Sequence, residues 1–203
     1  MPPSERPIPM FAAEPPQESA PYGRWEETLR AHFLAAVGNI STDEQIGEAR
    51  GALWYQERTY DGRTYVPVTA PTQEGFELFG YVSYTREHEG AEAVDFAAIA
   101  DYTDETAEAN PEWKLDLSDQ EIGHWRGPES RRGLITLVWG VALLDGGAVA
   151  TAELGPTTTD QCILADNRFT LVSLDDYTGD YVEVRLYDKR GTELARESLY
   201  EDD

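Results

Sequence analysis

Leu134-Ile135-Thr136-Leu137-Val138-Trp139-Gly140-Val141-Ala142-Leu143-Leu144 is the longest apolar run in the chain. It presents no polar face, which is how a central strand buried on both sides reads. It is too short to cross a bilayer as a helix. Downstream, Asp145-Gly146-Gly147 turns the chain into Ala148–Leu154, and Arg168–Leu174 follows. Tyr181–Tyr187 alternates, with Val182, Val184 and Leu186 inward and Glu183 and Arg185 outward. Asp188-Lys189-Arg190-Gly191 then closes a hairpin onto Thr192–Tyr200.

Upstream the same alternation holds. Leu53–Tyr60 and Thr64–Val68 flank Asp61-Gly62, a two-residue hairpin signal because both central positions favour positive φ. That register sets Arg58 opposite Tyr65, a cation–π pairing on paper. Pro67 has no N–H to donate, so the second arm is expected at an edge, or to end there. Phe76–Thr85 alternates Phe76, Leu78, Val82 and Tyr84 against Glu77, Ser83 and Thr85. Before these strands, Trp25, Leu29, Phe33 and Ala36 recur at helical spacing, and Gly38 stands where a C-cap would. Ser41-Thr42-Asp43-Glu44 has the form of a capping box, predicting a helical turn to about Arg50.

Short strands, tight turns and no β–α alternation predict a mainly β (α+β) chain. The expected form is an antiparallel β-sandwich or barrel of about seven to nine strands, with an N-terminal helix and a short helical insert. Residues 1–22 hold seven of the twelve prolines and little apolar material, so they read as a flexible proline-rich arm. Residues 23–203 read as one mainly β domain.

The insert is the acidic stretch 86–121, which has twelve carboxylates against Arg86 and Lys114. Val94–Tyr102 suits strand by its even positions and helix by its alanines. Thr103–Ala109 reads as a short helix stopped by Asn110-Pro111. Trp113–Leu117 looks extended, and Ser118-Asp119-Gln120-Glu121 is a second capping box. The phrases Asp43–Gly51 and Asp119–Gly127 are similar, which raises an internal repeat over 41–117 and 118–203.

A formal charge of −23 and a pI near 4.3 argue against nucleic-acid or anionic-membrane partners and leave a basic protein partner electrostatically open. Scarce lysine and dispersed carboxylates also fit a general compositional or salt adaptation. Cys162 is the single cysteine, so an intramolecular disulfide and a cysteine-rich zinc site are excluded. The N-terminus has no basic region leading into an apolar one, so the expected setting is soluble and cytoplasmic.

No nucleophile elbow, phosphate-cradling loop, dinucleotide fingerprint or His-Glu-x-x-His motif is present. No catalytic residue, cofactor or metal ligand is assigned. Asp175-Asp176-Tyr177-Thr178-Gly179-Asp180 clusters carboxylates about a glycine, but its spacing is that of a β-turn and not of an EF-hand. Of His32, His88 and His124, the last lies near Asp119 and Glu121, where a carboxylate could orient it as a base.

The candidate ligand-binding residues are therefore Trp113, Asp116, Asp119, Glu121, His124 and Trp125: aromatic walls with carboxylates, suited to a cationic group or basic peptide. The leading expectation is a non-enzymatic acidic β-domain that binds a protein partner. The alternative is a small-molecule-binding protein or enzyme with its site in a β-barrel mouth lined by Trp113, Trp125 and Trp139. DNA mimicry follows from charge alone and ranks below both.

Overall fold

The computed structural model describes residues 21–88, 90–126, 132–176 and 181–199. Within these the chain is mainly β, with one helix and twelve antiparallel strands in three sheets. None of the sheets closes into a barrel. The helix is α1 (Gly23–Val37), and its Leu29 and Phe33 are fully buried.

The first sheet contains β1 (Leu53–Trp54), β2 (Arg58–Tyr60), β3 (Arg63–Pro71), β4 (Glu77–Thr85) and β5 (Val94–Thr103). Both β1 and β2 pair with the same side of β3, and β4 then leads to β5 at the far edge. The second sheet places β7 (Arg132–Ala142) between β6 (Leu115–Arg126) and β10 (Arg168–Asp176). The third runs β12 (Glu193–Ser198), β11 (Val182–Asp188), β8 (Gly147–Leu154), β9 (Thr157–Ile163).

Strand alternation sorts the core into layers. Even-numbered residues of the first sheet, among them Trp54, Val66, Val68, Leu78, Val82 and Tyr84, pack with Leu29 and Phe33 under α1. Odd-numbered Tyr65, Phe79 and Tyr81 belong instead to the core that surrounds the second sheet. That core continues through Leu137, Trp139, Phe169 and Leu171 to Ala150, Ala152, Val182, Val184 and Leu186 of the third sheet. The apolar run is thus the middle of the molecule, with Ile135, Leu137, Val138 and Trp139 all at zero exposure.

Pro67 does not end its strand. It sits mid-β3, paired in register with Tyr81, and its carbonyl accepts the Tyr55 N–H in the gap between β1 and β2. The missing N–H therefore falls on the side where the ladder is already interrupted. The Asp61-Gly62 turn forms as expected, with φ of 49° and 76° and Arg58 in register with Tyr65.

Among the described residues the expected helical insert does not form. Residues 94–103 are β5, and Ser118–Glu121 lies inside the twelve-residue β6. Thr103–Ala109 leaves β5 into a turn in which the Ala109 and Asn110 N–H groups return to the Thr106 carbonyl. The ladder to β7 captures the backbone groups that a capped helix would have used, so tertiary pairing overrides the cap signal. Ser41–Glu44 opens no helix either. The Thr42 hydroxyl accepts the Glu44 N–H, and Gly47 (φ 76°) and Gly51 (φ 126°) break any helical path.

The two similar phrases differ in structure, since 119–126 is strand and 43–50 is irregular apart from one bridge at Ala49. The count of twelve exceeds the expected seven to nine because the insert supplies two strands, the threonine-rich segment Thr157–Ile163 forms β9, and Leu53–Tyr60 is split in two. With no closed barrel, the barrel mouth expected for a small-molecule site does not form. Among the described residues no helix is long and apolar enough to cross a membrane.

Candidate functional site

Strand β6 carries five of the six candidate residues, and pleating divides them between its faces. Asp116 pairs in register with Val141, and Val141 in turn with Arg168. These share the face that meets the first sheet. A register shift between Glu121 and Gly123 restores Gly123 and Trp125 to that same face, with Gly123 lying against Ile135 and the Tyr60 ring. Asp119, Glu121 and His124 occupy the opposite face. There His124 Nδ1 lies 3.1 Å from Glu121 Oε1, with both side chains substantially exposed. So open a contact is weak in water.

Trp113 lies before the strand, in the turn where its N–H donates to the Asn110 carbonyl. Trp125 is near the other end, half-buried against the central core. The ten strand steps from Leu115 to Trp125 alone span roughly 33 Å. The two tryptophans therefore cannot wall one small ligand. The structure brings Glu121 to His124 and aligns Asp116 with Trp125 along one face, but it gathers no six-residue cluster.

Another carboxylate meets Asp116 instead. Glu77 opens β4 on the odd face of the first sheet, opposite Asp116. Burial raises the Glu77 carboxyl to about 7, and the nearby negative charge of Asp116 adds to the effect. Burial also raises Asp116 above the ordinary aspartate range. Tyr55 stands beside them with its hydroxyl 3.3 Å from Thr69 Oγ1, and burial pushes it far above the usual phenol range. Arg168 bounds the group, its guanidinium donating to the Trp54 carbonyl at 2.7 Å and to Asp166 at 2.9 Å. The arrangement holds a proton close to neutrality at the junction of two sheets.

A second polar system stitches β10 to β9, where a closed barrel would have a ladder. Side chains meet three of the edge-facing backbone groups of β10. Gln56 Nε2 donates to Arg168 O at 2.8 Å, Arg58 Nε to Thr170 O at 2.9 Å, and the Val172 N–H to Asp160 Oδ2 at 2.9 Å. Arg58 Nη2 also reaches Gln161 O on β9 at 2.9 Å and lies 3.5 Å from Asp160 Oδ2, with both side chains almost fully buried. Burial raises the Asp160 carboxyl, and Arg58 and two backbone N–H groups pull against it. This seam is structural: it pairs the polar groups of an edge strand that would otherwise be buried unsatisfied. Cys162 lies buried beside it, its thiol raised by burial.

Sequence reading placed Glu77 among outward-facing residues and missed the roles of Arg58 and Asp160. The available trace was Gln56 and Arg58, two polar residues on one parity of a strand beside buried Trp54. Among the described residues no group of three or more His, Cys, Asp or Glu is placed to hold a metal ion. Most of the Asp175–Asp180 turn lies outside the described residues. The chain matches no family model, no curated protein and no solved structure.

Proposed function

We propose that this chain is a non-enzymatic, protein-binding β-domain of sandwich form. The free edge of β6 accepts an extended basic segment of a partner as an added strand. One observation carries the reading: among the described residues β6 has β7 on one side and no strand on the other. The Lys114 carbonyl accepts the Leu143 N–H on the β7 side. Alternation therefore turns the N–H and C=O groups of Leu115, Leu117 and Glu121 toward the outer edge. Main-chain bonds to such an edge supply affinity, and side chains on the two faces supply selectivity. Asp119 and Glu121 line the face of the edge turned away from the first sheet, complementary to lysine or arginine at alternate positions. The same charges repel a second acidic copy, protecting a long edge from self-pairing.

The test is hydrogen exchange on the full chain with an alternating lysine–valine peptide at low ionic strength. Slowed exchange confined to 115–121, weakening with added salt and lost in Asp119→Lys/Glu121→Lys, is the expected result. Binding that ignores the double substitution, or no protection at all, refutes the proposal.

A further inference from the structure

On the opposite side of the first sheet, under α1, three aromatic rings meet. Trp25 comes from the first turn of α1, Tyr84 from β4 and Phe96 from β5. The Trp25 and Tyr84 centroids are 5.1 Å apart with their planes at 86°, forming a right-angled corner. Phe96 adds a third wall, 6.0 Å from Trp25 and 5.8 Å from Tyr84. A register irregularity places it there: the β4–β5 pairing shifts between Ser83 and Thr85, opposite Asp95 at φ 55°. Bulges of this kind re-aim side chains. His32 stacks on Phe96 at 4.4 Å and backs that wall.

The corner already holds a cation. The Arg86 guanidinium carbon is 4.8 Å from the Tyr84 centroid and 5.3 Å from that of Trp25. The Tyr84 hydroxyl donates to Glu57 Oε2 at 2.9 Å, which draws its proton toward a carboxylate and enriches the ring in electron density. In a chain with 39 carboxylates, this exposed arginine rests on two aromatic rings, and among the described residues no carboxylate pairs with it. Among the described residues no hydrogen-bond acceptor meets its N–H groups, so a guanidinium with five donors is a poor match to the corner. A cation without donors loses nothing there, and the net charge of −23 favours cations over the whole surface.

We propose that Trp25, Tyr84 and Phe96 form a binding corner for a quaternary ammonium group, with Arg86 as a displaceable internal guest. The ligand chemistry is trimethylammonium, carried either by a small molecule or by a trimethylated lysine on a protein. The site is separate from the β6 edge and does not depend on it.

The experiment titrates the full chain with tetramethylammonium chloride at ionic strength matched by sodium chloride, following the Trp25 indole N–H resonance. Arg86→Ala should bind about fivefold more tightly than the parent, since it removes one exposed cation–π competitor. Followed by isothermal titration calorimetry, because the substitution removes the reporting indole, Trp25→Leu in the Arg86→Ala background should abolish saturation. Should that substitution unseat α1, as a melting curve would show, Phe96→Leu replaces it and should weaken binding. A trimethyl-lysine peptide binding more tightly than its unmodified counterpart and than the free cation supports the corner with a protein-borne ligand. Equal affinity of trimethylated peptide and free cation supports it with a small-molecule ligand. The proposal is overturned if Arg86→Ala shows no saturable shift, or if saturation survives loss of the aromatic wall.

Discussion

Replacing Glu77 with glutamine should flatten the dependence of stability on pH. The carboxyl ordinarily titrates near 4.5 and is held up to about 7 at the junction of the first and second sheets. The folded state therefore binds this proton more tightly than the unfolded chain does. Its favourable contribution is complete below about pH 4.5 and is lost as pH rises to about 7, beyond which the loss is constant. Unscreened, that displacement corresponds to about 3 kcal/mol. Because the side chain keeps partial contact with water, we take the effect as about 2 kcal/mol. At a urea m-value of about 2 kcal/mol per molar, the midpoint should fall by about 1 M between pH 5 and pH 8. General repulsion in so acidic a chain acts in the same direction, so the informative quantity is the difference between parent and variant. Glu77→Gln should keep the repulsion and lose the step. Asp116→Asn should shrink the step without removing it, since burial is the larger cause. Urea titrations followed by tryptophan fluorescence across this range measure both. If Glu77→Gln follows the parent to within about 0.5 kcal/mol at every pH, the inter-sheet proton is not there and the reasoning fails.

Two further predictions probe the frame that carries the sites. Arg58→Met should destabilise by about 3–5 kcal/mol in urea unfolding, because it strands Asp160 buried without its cation. Adding Asp160→Leu to that variant should recover part of the loss, and failure to recover any would show that the carbonyls of Thr170 and Gln161 dominate. Gly140→Ala should cost about 1–3 kcal/mol, since the new Cβ would run into the Asp116 carbonyl oxygen, with Leu117 and the Phe169 ring also close. A melting temperature unchanged from the parent would refute the tight packing of β6 on β7 at that point.

Most strands could be read from the chain because side-chain periodicity is local. Val182, Val184 and Leu186 are inward and buried, as their alternation states, and the Asp61-Gly62 and Asp188–Gly191 turns form where their chemistry requires. The acidic segment misled for an equally physical reason. Ser118–Glu121 carries the letters of a helix cap, yet Leu115 and Leu117 place an apolar stripe beside β7, and the ladder forms. Strand β9 escaped because Thr157-Thr158-Thr159-Asp160-Gln161 shows little apolar alternation, while its burial comes from the Thr159–Ser173 and Asp160–Val172 bonds. The candidate residues were legible as types but not as a site. Only pleating and the bulge after Glu121 decide that Asp116 and Trp125 share one face and Glu121 and His124 the other.

Local chemistry was therefore sufficient for a mainly β chain, its helix, its central strand and several of its turns. Each depends on the period or backbone preference of a few consecutive residues. Which sheet edges lie side by side depends on burial between segments far apart in the chain. Arg58 meets Thr170 across 112 residues, and Glu77 meets Asp116 across the space between two sheets. Neither encounter leaves a periodic trace, because the interacting groups are single polar side chains whose partners exist only once the sheets have packed.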